Sequence, residues 1–272
     1  MIHAITWDPS LGIDLGFFTI RYYSLMFLIA FSLGWYIMKH IYQKESIDIK
    51  YLDSLFMYTV IATLLGARLG HVIFYQPELI TQDPLSILLP FQFVPEIEFT
   101  GFQGLASHGA TIGIAIAMYL YSKKVIHKHI AWILDRVILP ISIGGMFVRI
   151  GNFLNSEIIG EPTNSSFGVI FKKLGEDFPR HPAQLYEAAG YLILFGLLWF
   201  LFHNTKLKAK KGFLFGLFFT LMWSIRFVVE FVKEPQVPER ADWLINTGQI
   251  LSLPMLGIGI VIMIIANKQS NK

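Results

Sequence analysis

The sequence predicts an all-α polytopic membrane protein, folded as a single integral-membrane domain with seven transmembrane helices. The first observation is composition: of 272 residues, 54% are hydrophobic and 15% are charged, whereas a soluble domain has roughly 25% charged residues. The second is that the shortage of charge extends along the whole chain, in seven long apolar stretches. The third is that basic residues collect in alternate connections between those stretches.

A membrane-spanning helix needs about 20 mostly apolar residues. The stretches that meet this requirement are residues 17–39, 52–75, 106–122, 131–151, 182–203, 213–232 and 248–266. The third is the shortest, but its Gly109 and Gly113 suit close helix packing. The first 16 residues contain no Lys or Arg, unlike a cleaved signal peptide, so we expect the first apolar stretch to be retained.

The distribution of Lys and Arg predicts the orientation, because cytoplasmic connections carry the excess of these residues. Twelve lysines lie in one set of connections and the C-terminal segment: Lys39, Lys44, Lys50, Lys123, Lys124, Lys128, Lys206, Lys208, Lys210, Lys211, Lys268 and Lys272. The opposite set holds five basic residues: Lys172, Lys173, Arg180, Lys233 and Arg240. We therefore expect the N-terminus outside and the C-terminus in the cytoplasm.

Two long connections should lie on the outer side. Residues 76–105 include an apolar run, residues 85–93, that is too short to span and should lie in the membrane interface. This connection also contains Pro77, Pro84, Pro90 and Pro95. Residues 152–181 are mixed and polar and should form a small extracytoplasmic cap.

Arginines in or beside the spans suggest where function lies, because charge at bilayer depth is costly and tends to mark function or pairing. They are Arg21, Arg68, Arg136, Arg149 and Arg226. Arg136, beside Asp135 near a cytoplasmic end, is interpreted as a snorkelling anchor. The other four should gather on the outer side, where guanidinium groups suit phosphate oxygens.

The chain has no cysteine, which excludes disulfides, thiolate metal sites and a thiol nucleophile of its own. No metal-ligand spacing, glycine-rich phosphate loop or internal repeat is visible. We therefore expect no metal, no cofactor and no nucleic-acid partner.

The most specific polar stretch is residues 148–160, at the outer end of the fourth span. Arg149 and Asn152 are three residues apart and share a helix face. Asn155 and Glu157 follow where the helix should end. These residues favour phosphate binding, and a structural pairing of Arg149 with Glu157 is the alternative.

Polar residues also follow helical spacing in the fifth and sixth spans. If the fifth helix begins by Arg180, then Arg180, Gln184 and Glu187 share a face; a structural polar seam between helices would explain them equally well. Arg226 and Glu230 are four residues apart and are expected to pair. In the second span, a further polar stripe comprises Arg68, His71 and Tyr75.

Residues 149–160 resemble the signature of the prolipoprotein diacylglyceryl transferases, Arg-x-Gly-Asn-Phe-x-Asn-x-Glu-x-x-Gly, although Val148 and Ser156 stand where that family commonly has glycine. Four further stretches resemble the family in chain order: RYYSLM at 21–26, GARLG at 66–70 with Tyr75, PRHPAQLYE at 179–187, and RFVVEF at 226–231 followed by GQILS at 248–252. The resemblance covers nearly the whole chain.

The resemblance implies a bacterial inner-membrane enzyme with its active site toward the extracytoplasmic face. Such an enzyme moves a diacylglyceryl group from phosphatidylglycerol to the thiol of a lipobox cysteine in a prolipoprotein signal peptide. A thioether forms and glycerol phosphate leaves. The partners it implies are therefore phosphatidylglycerol, prolipoprotein signal peptides and membrane lipid.

The resemblance also implies roles for individual residues. His108 would be the base or orienter for the thiol, although Ala110 replaces the second glycine of the family's His-Gly-Gly. The predicted catalytic residues are Tyr23, His108, Arg149 and Arg226. The predicted substrate-binding residues are Arg68, Arg149, Asn152, Asn155, Glu157, Gly160, Arg180, Gln184, Glu187, Glu230 and Gln249. Met222 replaces a tyrosine that often precedes Arg226, so no role is carried over there.

Other function classes were weighed against this one. A transporter of anions or lipids predicts polar residues through the full membrane depth and often repeat symmetry, whereas here the strong polar groups cluster outward. A non-catalytic scaffold would not need a converging Arg-Asn-Glu constellation. A transferase that acts on another lipid headgroup would fit the same residues, and only the family resemblance favours diacylglyceryl transfer over it.

Overall fold

The computed structural model describes residues 4–16, 19–89, 91–99, 104–234 and 245–270. The sequence predictions that involve Pro90, Arg240, Lys272 and residues 17–18 lie outside these ranges. The helices are α1 (Tyr22–Lys44), α2 (Ile49–Tyr75), α3 (Leu79–Gln82), α4 (Ser107–Lys124), α5 (Ile130–Asn155), α6 (Ala183–Asn204), α7 (Phe213–Val229) and α8 (Thr247–Ser270).

Six helices among the described residues are long and apolar enough to cross a membrane. They are α1, α2, α5, α6, α7 and α8, and the span of α7 includes the 3₁₀ turn that follows it. Each overlaps one predicted stretch, which confirms a polytopic membrane protein. The third predicted stretch also forms a helix, α4, but its 18 residues end in Lys123 and Lys124 and it is not among the six.

The chain divides into two compact units, each described by itself. The first comprises Met1–Met38 and Leu134–Lys272, and the second comprises Lys39–Ile133. The first unit therefore contains α6, α7, α8 and most of α5, and the second contains α2 and α4.

In the second unit, glycines bring α2 and α4 into backbone contact. A Cβ atom on Gly70 would lie 2.6 Å from the Cα atom of Gly109, and one on Gly113 would lie 2.6 Å from the carbonyl oxygen of Ala62. This confirms the packing expected of Gly109 and Gly113. Small residues allow such an approach, which gains dispersion energy along both helices.

The connection that was predicted to lie outside, in the second unit, is built from short elements rather than one apolar run. After α3, a 3₁₀ turn covers Pro84–Ile87, and a two-stranded antiparallel ribbon pairs β4 (Phe91–Gln92) with β5 (Glu98–Phe99). Arg68 of α2 donates to the carbonyl oxygens of Ser86, at 2.9 Å, and Ile87, at 3.3 Å. Its guanidinium group therefore ties this connection to α2.

In the first unit, a buried charge at the start of α5 organises the start of α7. The Asp135 carboxylate accepts hydrogen bonds from the backbone N–H groups of Gly212, at 2.6 Å, and Phe215, at 2.8 Å. These are donors that a helix N-terminus leaves without intrahelical partners. Asp135 and Arg136 are both buried, and the Arg136 guanidinium lies over the Phe202 ring. The snorkelling interpretation of Arg136 is therefore wrong, because its side chain is buried against Phe202 rather than exposed at the end of the helix.

The part of the first unit that precedes α1 and follows α5 contains short strands. β1 (Ile5–Trp7) pairs in parallel with β6 (Val169–Phe171), and β2 (Gly12–Asp14) pairs with β3 (Thr19–Arg21). Trp7 packs on Phe153, and its indole N–H donates to the Phe153 carbonyl oxygen at 3.0 Å. The spanning part is helical, as predicted. Residues before α1 add the strand β1 to the predicted cap, and a pattern of apolar helices gives no signal for such a strand.

Candidate active site

The predicted signature residues form one connected polar network in the first unit. Arg149 of α5 forms an ion pair through its Nε atom with the Glu187 carboxylate of α6. Its Nη1 atom donates to Asn152 Oδ1 at 3.1 Å, and Asn152 Nδ2 donates to Glu157 Oε1 at 2.7 Å. The carboxylate partner of Arg149 is thus Glu187 on another helix, and the alternative pairing with Glu157 is replaced by a chain through Asn152.

The end of α5 explains how Glu157 reaches Asn152. Ser156 has a left-handed backbone with φ of 58°. The Ser156 N–H donates to the Phe153 carbonyl oxygen, and the Glu157 N–H donates to the Asn152 carbonyl oxygen. This is the Schellman pattern that ends many helices, and its left-handed position favours glycine. The chain therefore turns back, and Glu157 lies over the side chain of Asn152.

Glu187 joins helices α5 and α6 and the connection that follows α7. It is almost fully buried. Its Oε2 atom binds Arg149 and accepts the Tyr191 hydroxyl hydrogen bond at 3.2 Å. Its Oε1 atom lies 3.9 Å from Lys233 Nζ. A buried carboxylate is stable only when it is paired and hydrogen-bonded, and Glu187 meets both conditions.

Arg226 of α7 lies at the same network through Tyr191. The Tyr191 hydroxyl interacts electrostatically with both Arg149 and Arg226, and the Arg226 guanidinium lies 4.8 Å from the centre of the Trp223 ring. Across the part of the chain that the structure describes, Arg226 forms no ion pair. It is therefore a cation near Arg149 without a carboxylate of its own.

The predicted pairing of Arg226 with Glu230 is wrong. Helix α7 ends at Val229, and Glu230 begins a 3₁₀ turn, Glu230–Val232. In this turn the Glu230 carboxylate faces Lys233 Nζ, at 3.2 Å. The Glu230 N–H still donates to the Arg226 carbonyl oxygen, as in an α-helix, so it is the Glu230 side chain that turns to Lys233 rather than to Arg226.

Tyr23, near the start of α1, reaches the network through Asn152. Its hydroxyl lies close to the Asn152 side chain and interacts electrostatically with Glu157 and Arg149. A Cβ atom on Gly151 would lie 2.8 Å from the Tyr23 ring. The glycine of the signature therefore lets the Tyr23 ring pack directly on α5, where it can orient Asn152.

Three predicted binding residues support the backbone around the network. Gln184 is buried and donates to the Glu157 carbonyl oxygen at 2.7 Å. A Cβ atom on Gly160 would lie 2.5 Å from the His181 carbonyl oxygen and 2.6 Å from that of Val232. Asn155, the last residue of α5, is half-buried. Gly160 is thus required where two backbone segments cross.

Arg180 lies outside α6, which begins at Ala183. The condition that placed Arg180, Gln184 and Glu187 on one helix face is therefore not met. Arg180 binds Glu176, donates to Glu234 Oε1 at 3.2 Å and donates to the Gly160 carbonyl oxygen at 3.1 Å. The hydrogen bond to Glu176 raises the pKa of the Arg180 guanidinium above its usual value, against the opposing effect of burial.

Gln249 takes part in the start of α8. The Gln249 N–H donates to Asn246 Oδ1 at 2.9 Å, and the Asn246 N–H donates to Gln249 Oε1 at 3.0 Å. This reciprocal pair is a capping box. Asn246 Nδ2 also donates to the Glu230 carbonyl oxygen, and a Cβ atom on Gly248 would collide with the Glu230 carboxylate. Gln249 thereby fixes α8 beside Glu230.

His108 and Arg68 belong to the second unit. The exposed His108 ring lies 5.0 Å from that of Phe74 and 5.9 Å from that of Tyr75. His71 stacks on Tyr75 at 5.4 Å, so the predicted stripe on α2 contributes to one aromatic group with His108. Because Arg68 is in this unit, the gathering of all four outer arginines stays a prediction.

Sequence reasoning missed Lys233 and Tyr191. Lys233 appeared to be one charge of an outer connection, but it is buried between the carboxylates of Glu230 and Glu187. Its spacing of three residues from Glu230 was the available signal. Tyr191 lies four residues after Glu187, on the same face of α6, and no role was predicted for it.

Two guanidinium groups of the network are suited to bind an anion. The negative charge of Glu187 faces both Arg149 and Lys233, so it does not neutralise the charge of Arg149 alone. Arg226 adds a second positive group, and desolvated surroundings strengthen the attraction of both for an anion. Among the described residues, no group of three His, Asp or Glu is placed to hold a metal ion. The arrangement can therefore bind and stabilise a phosphate with guanidinium groups.

The whole chain is similar to proteins of one family. A family model described as prolipoprotein diacylglyceryl transferase matches residues 11–265. A phosphatidylglycerol--prolipoprotein diacylglyceryl transferase of Tolumonas auensis is 42% identical over 262 residues, covering 96% of each chain. Proteins of the same name from Bacteroides fragilis and Chloroherpeton thalassium are 38% and 37% identical, covering 100% and 98% of this chain and 98% and 96% of their own. This chain belongs to the prolipoprotein diacylglyceryl transferase family.

Proposed function

We propose that this chain transfers the diacylglyceryl group of phosphatidylglycerol to the thiol of a lipobox cysteine in prolipoprotein signal peptides. It would thereby carry out the first step of bacterial lipoprotein maturation. Family membership supports the reaction class. The observation that carries the proposal furthest is the Arg149–Glu187 ion pair with Arg226 nearby and without a carboxylate partner among the described residues.

In this reaction the cysteine sulfur attacks the glyceryl carbon that bears the phosphate. A carbon–sulfur bond forms as the carbon–oxygen bond to phosphate breaks, and glycerol phosphate leaves with the bonding electrons. The thiol proton passes to a base. The phosphate gains negative charge along this path, so cations fixed beside it stabilise the transition state more than the bound lipid.

Arg149 and Arg226 are proposed to bind the phosphate. Arg149 is held by Glu187 and Asn152, so it needs little reorganisation when charge develops. One well-placed donor of this kind contributes roughly 3 kcal/mol to transition-state stabilisation. Tyr23 would orient Asn152 and thereby Arg149, because its hydroxyl lies close to the Asn152 side chain.

His108 is proposed to be the base or orienter for the thiol. A cysteine thiol with a pKa of about 8.5 is partly ionised near neutral pH and needs only modest assistance. The exposed His108 ring at the start of α4 can meet a substrate without first breaking an ion pair. Arg68, which holds the outer connection, would act on substrate only through that connection.

We further propose seven spans, with α4 as the additional one, in a bacterial inner membrane. The close α2–α4 packing through glycines supports a buried spanning role for α4. The lysine excess supports a cytoplasmic C-terminus and an outward-facing active site. Residues 76–105 would then lie at the outer interface.

The test is to incubate the purified protein with phosphatidylglycerol and a lipobox peptide that contains cysteine. The expected result is a peptide mass gain of one diacylglyceryl unit with release of glycerol phosphate, and no gain with a Cys→Ser peptide. If lipid is consumed without modification of the cysteine, another headgroup transferase is the better assignment. If vesicles that contain the protein release anions and no peptide is modified, an anion transporter is the better assignment.

A further inference from the structure

A second polar site lies in the second unit, at the connection between α4 and α5. A cavity of about 550 Å³ lies there, and its lining includes Tyr119, Lys123, His127, Lys128 and His129. None of its lining residues is acidic. The proposed reaction makes no use of this cavity.

The connection has a defined backbone, so the basic side chains are held around the cavity. After α4, the N–H groups of Val125 and Ile126 both donate to the Tyr121 carbonyl oxygen at 3.1 Å. His127 then has a left-handed backbone with φ of 52°. The buried Ser122 hydroxyl donates to the Lys128 carbonyl oxygen at 2.6 Å. These bonds place Lys123 and Lys128 on the same cavity.

The cavity carries positive charge that the described residues do not neutralise. Lys123 and Lys128 are exposed, and within the described ranges neither forms an ion pair. The end of α4 and the start of α5 both line the cavity, so the opposite ends of the two helix dipoles meet there and the lysines supply its net positive charge. The cavity is therefore suited to an anion.

Aromatic residues indicate the depth of this cavity in a membrane. Ile130, in its lining, is the first residue of the spanning helix α5. The Lys128 ammonium lies 5.5 Å from the centre of the Trp132 ring, and Tyr119 is exposed. Tyr and Trp collect where the hydrocarbon meets the headgroups. The basic side chains are thus at the level of lipid phosphates, where basic pockets between helices bind acidic headgroups.

We infer that this cavity binds the phosphate of an anionic phospholipid headgroup, as a site distinct from the Arg149 network. The two lysines supply the charge, and Tyr119 packs beside the glycerol and upper acyl region. The lipid would anchor the α4–α5 connection at its membrane face. This inference does not depend on the proposed transfer reaction.

The test uses the full chain in detergent, with bound lipids counted by native mass spectrometry. Phosphatidic acid is the probe, phosphatidylcholine is the zwitterionic comparison with no net charge, and inorganic phosphate is the soluble competitor. The Lys123→Gln/Lys128→Gln variant removes both cations. The Lys206→Gln/Lys211→Gln variant makes the same charge change at exposed residues elsewhere.

The expected result is one fewer bound phosphatidic acid, or roughly tenfold weaker binding of it, in Lys123→Gln/Lys128→Gln alone. Phosphatidylcholine should show no such difference, and transfer activity should be unchanged. Equal phosphatidic acid binding in both variants would overturn the inference. Displacement by millimolar inorganic phosphate, with no advantage for the lipid, would overturn the lipid assignment in favour of a soluble anion.

Discussion

The end of α5 offers a sharp test, because Ser156→Gly should stabilise the protein. A non-glycine residue in the left-handed region costs roughly 1–2 kcal/mol, and Ser156 has φ of 58°. Its buried hydroxyl also has no hydrogen-bond partner among the described residues, and such a group costs about 1 kcal/mol or more. Glycine gives back about 0.4–1 kcal/mol through the greater freedom of the unfolded chain. The net gain is about 1–2 kcal/mol.

The assay is thermal unfolding of the purified protein in one detergent, followed by intrinsic tryptophan fluorescence. For a chain of this size the gain corresponds to a rise of about 2–6 °C in the midpoint. Ser142→Gly is the matched control, since buried Ser142 lies inside α5 and bonds to the Ile138 carbonyl oxygen. Glycine in a helix interior costs roughly 0.5–1 kcal/mol, so this midpoint should fall. If Ser156→Gly unfolds at or below the wild-type temperature, the assigned helix end is wrong.

Three further predictions concern the network. Arg149→Lys should reduce turnover roughly 100-fold, because an ammonium group does not reproduce the planar guanidinium group that binds both Glu187 and Asn152. Steady-state kinetics on a cysteine peptide measures this, and near-normal turnover would refute the role of the guanidinium geometry. Glu187→Gln should lower kcat more than it raises KM, with Glu187→Asp retaining part of the activity, because the ion pair of Glu187 holds Arg149 in place; an unchanged kcat contradicts that role. Gly248→Ala should lower the thermal midpoint, because the added methyl group meets the Glu230 carboxylate and overpacking costs about 1–3 kcal/mol; a midpoint at the wild-type value would show that the contact relaxes freely.

The spans were predictable because their signal is local. Length and apolar composition alone identify a membrane helix, and six of the predicted stretches coincide with helices that meet this requirement. Their ends were less accurate because caps set them. Helix α2 begins where the Asp48 side chain accepts the Lys50 N–H hydrogen bond, and α5 ends at the left-handed Ser156.

The candidate site was predictable where residues share a helix and less so where pairing crosses between helices. Arg149, Asn152 and Glu157 do form a chain, as spacing suggested. The ion pair between Arg149 and Glu187 joins residues far apart in sequence. Local spacing in the sequence gives no signal for a partner that meets Arg149 only in the folded chain.

Two errors arose where helical spacing alone was used to pair side chains. The spacing of Arg226 and Glu230 suggested a pair, but the Glu230 side chain pairs with Lys233 instead. The position of Arg180 before α6 suggested the same helix face as Gln184, but Arg180 binds acceptors in the cap. In both cases a charged group that lies outside the helix decides the partner.

The most direct test of the central claim is the effect of Arg226→Gln on diacylglyceryl transfer. The claim is that Arg226 binds the lipid phosphate beside Arg149 because no carboxylate among the described residues neutralises it. The control variant is Arg21→Gln, because Arg21 is an exposed arginine just before α1. The measurement is the rate of mass gain of a cysteine peptide with phosphatidylglycerol. A roughly 100-fold loss in Arg226→Gln, with Arg21→Gln near wild type, is the predicted result, and near-normal transfer by a folded Arg226→Gln protein would contradict the account.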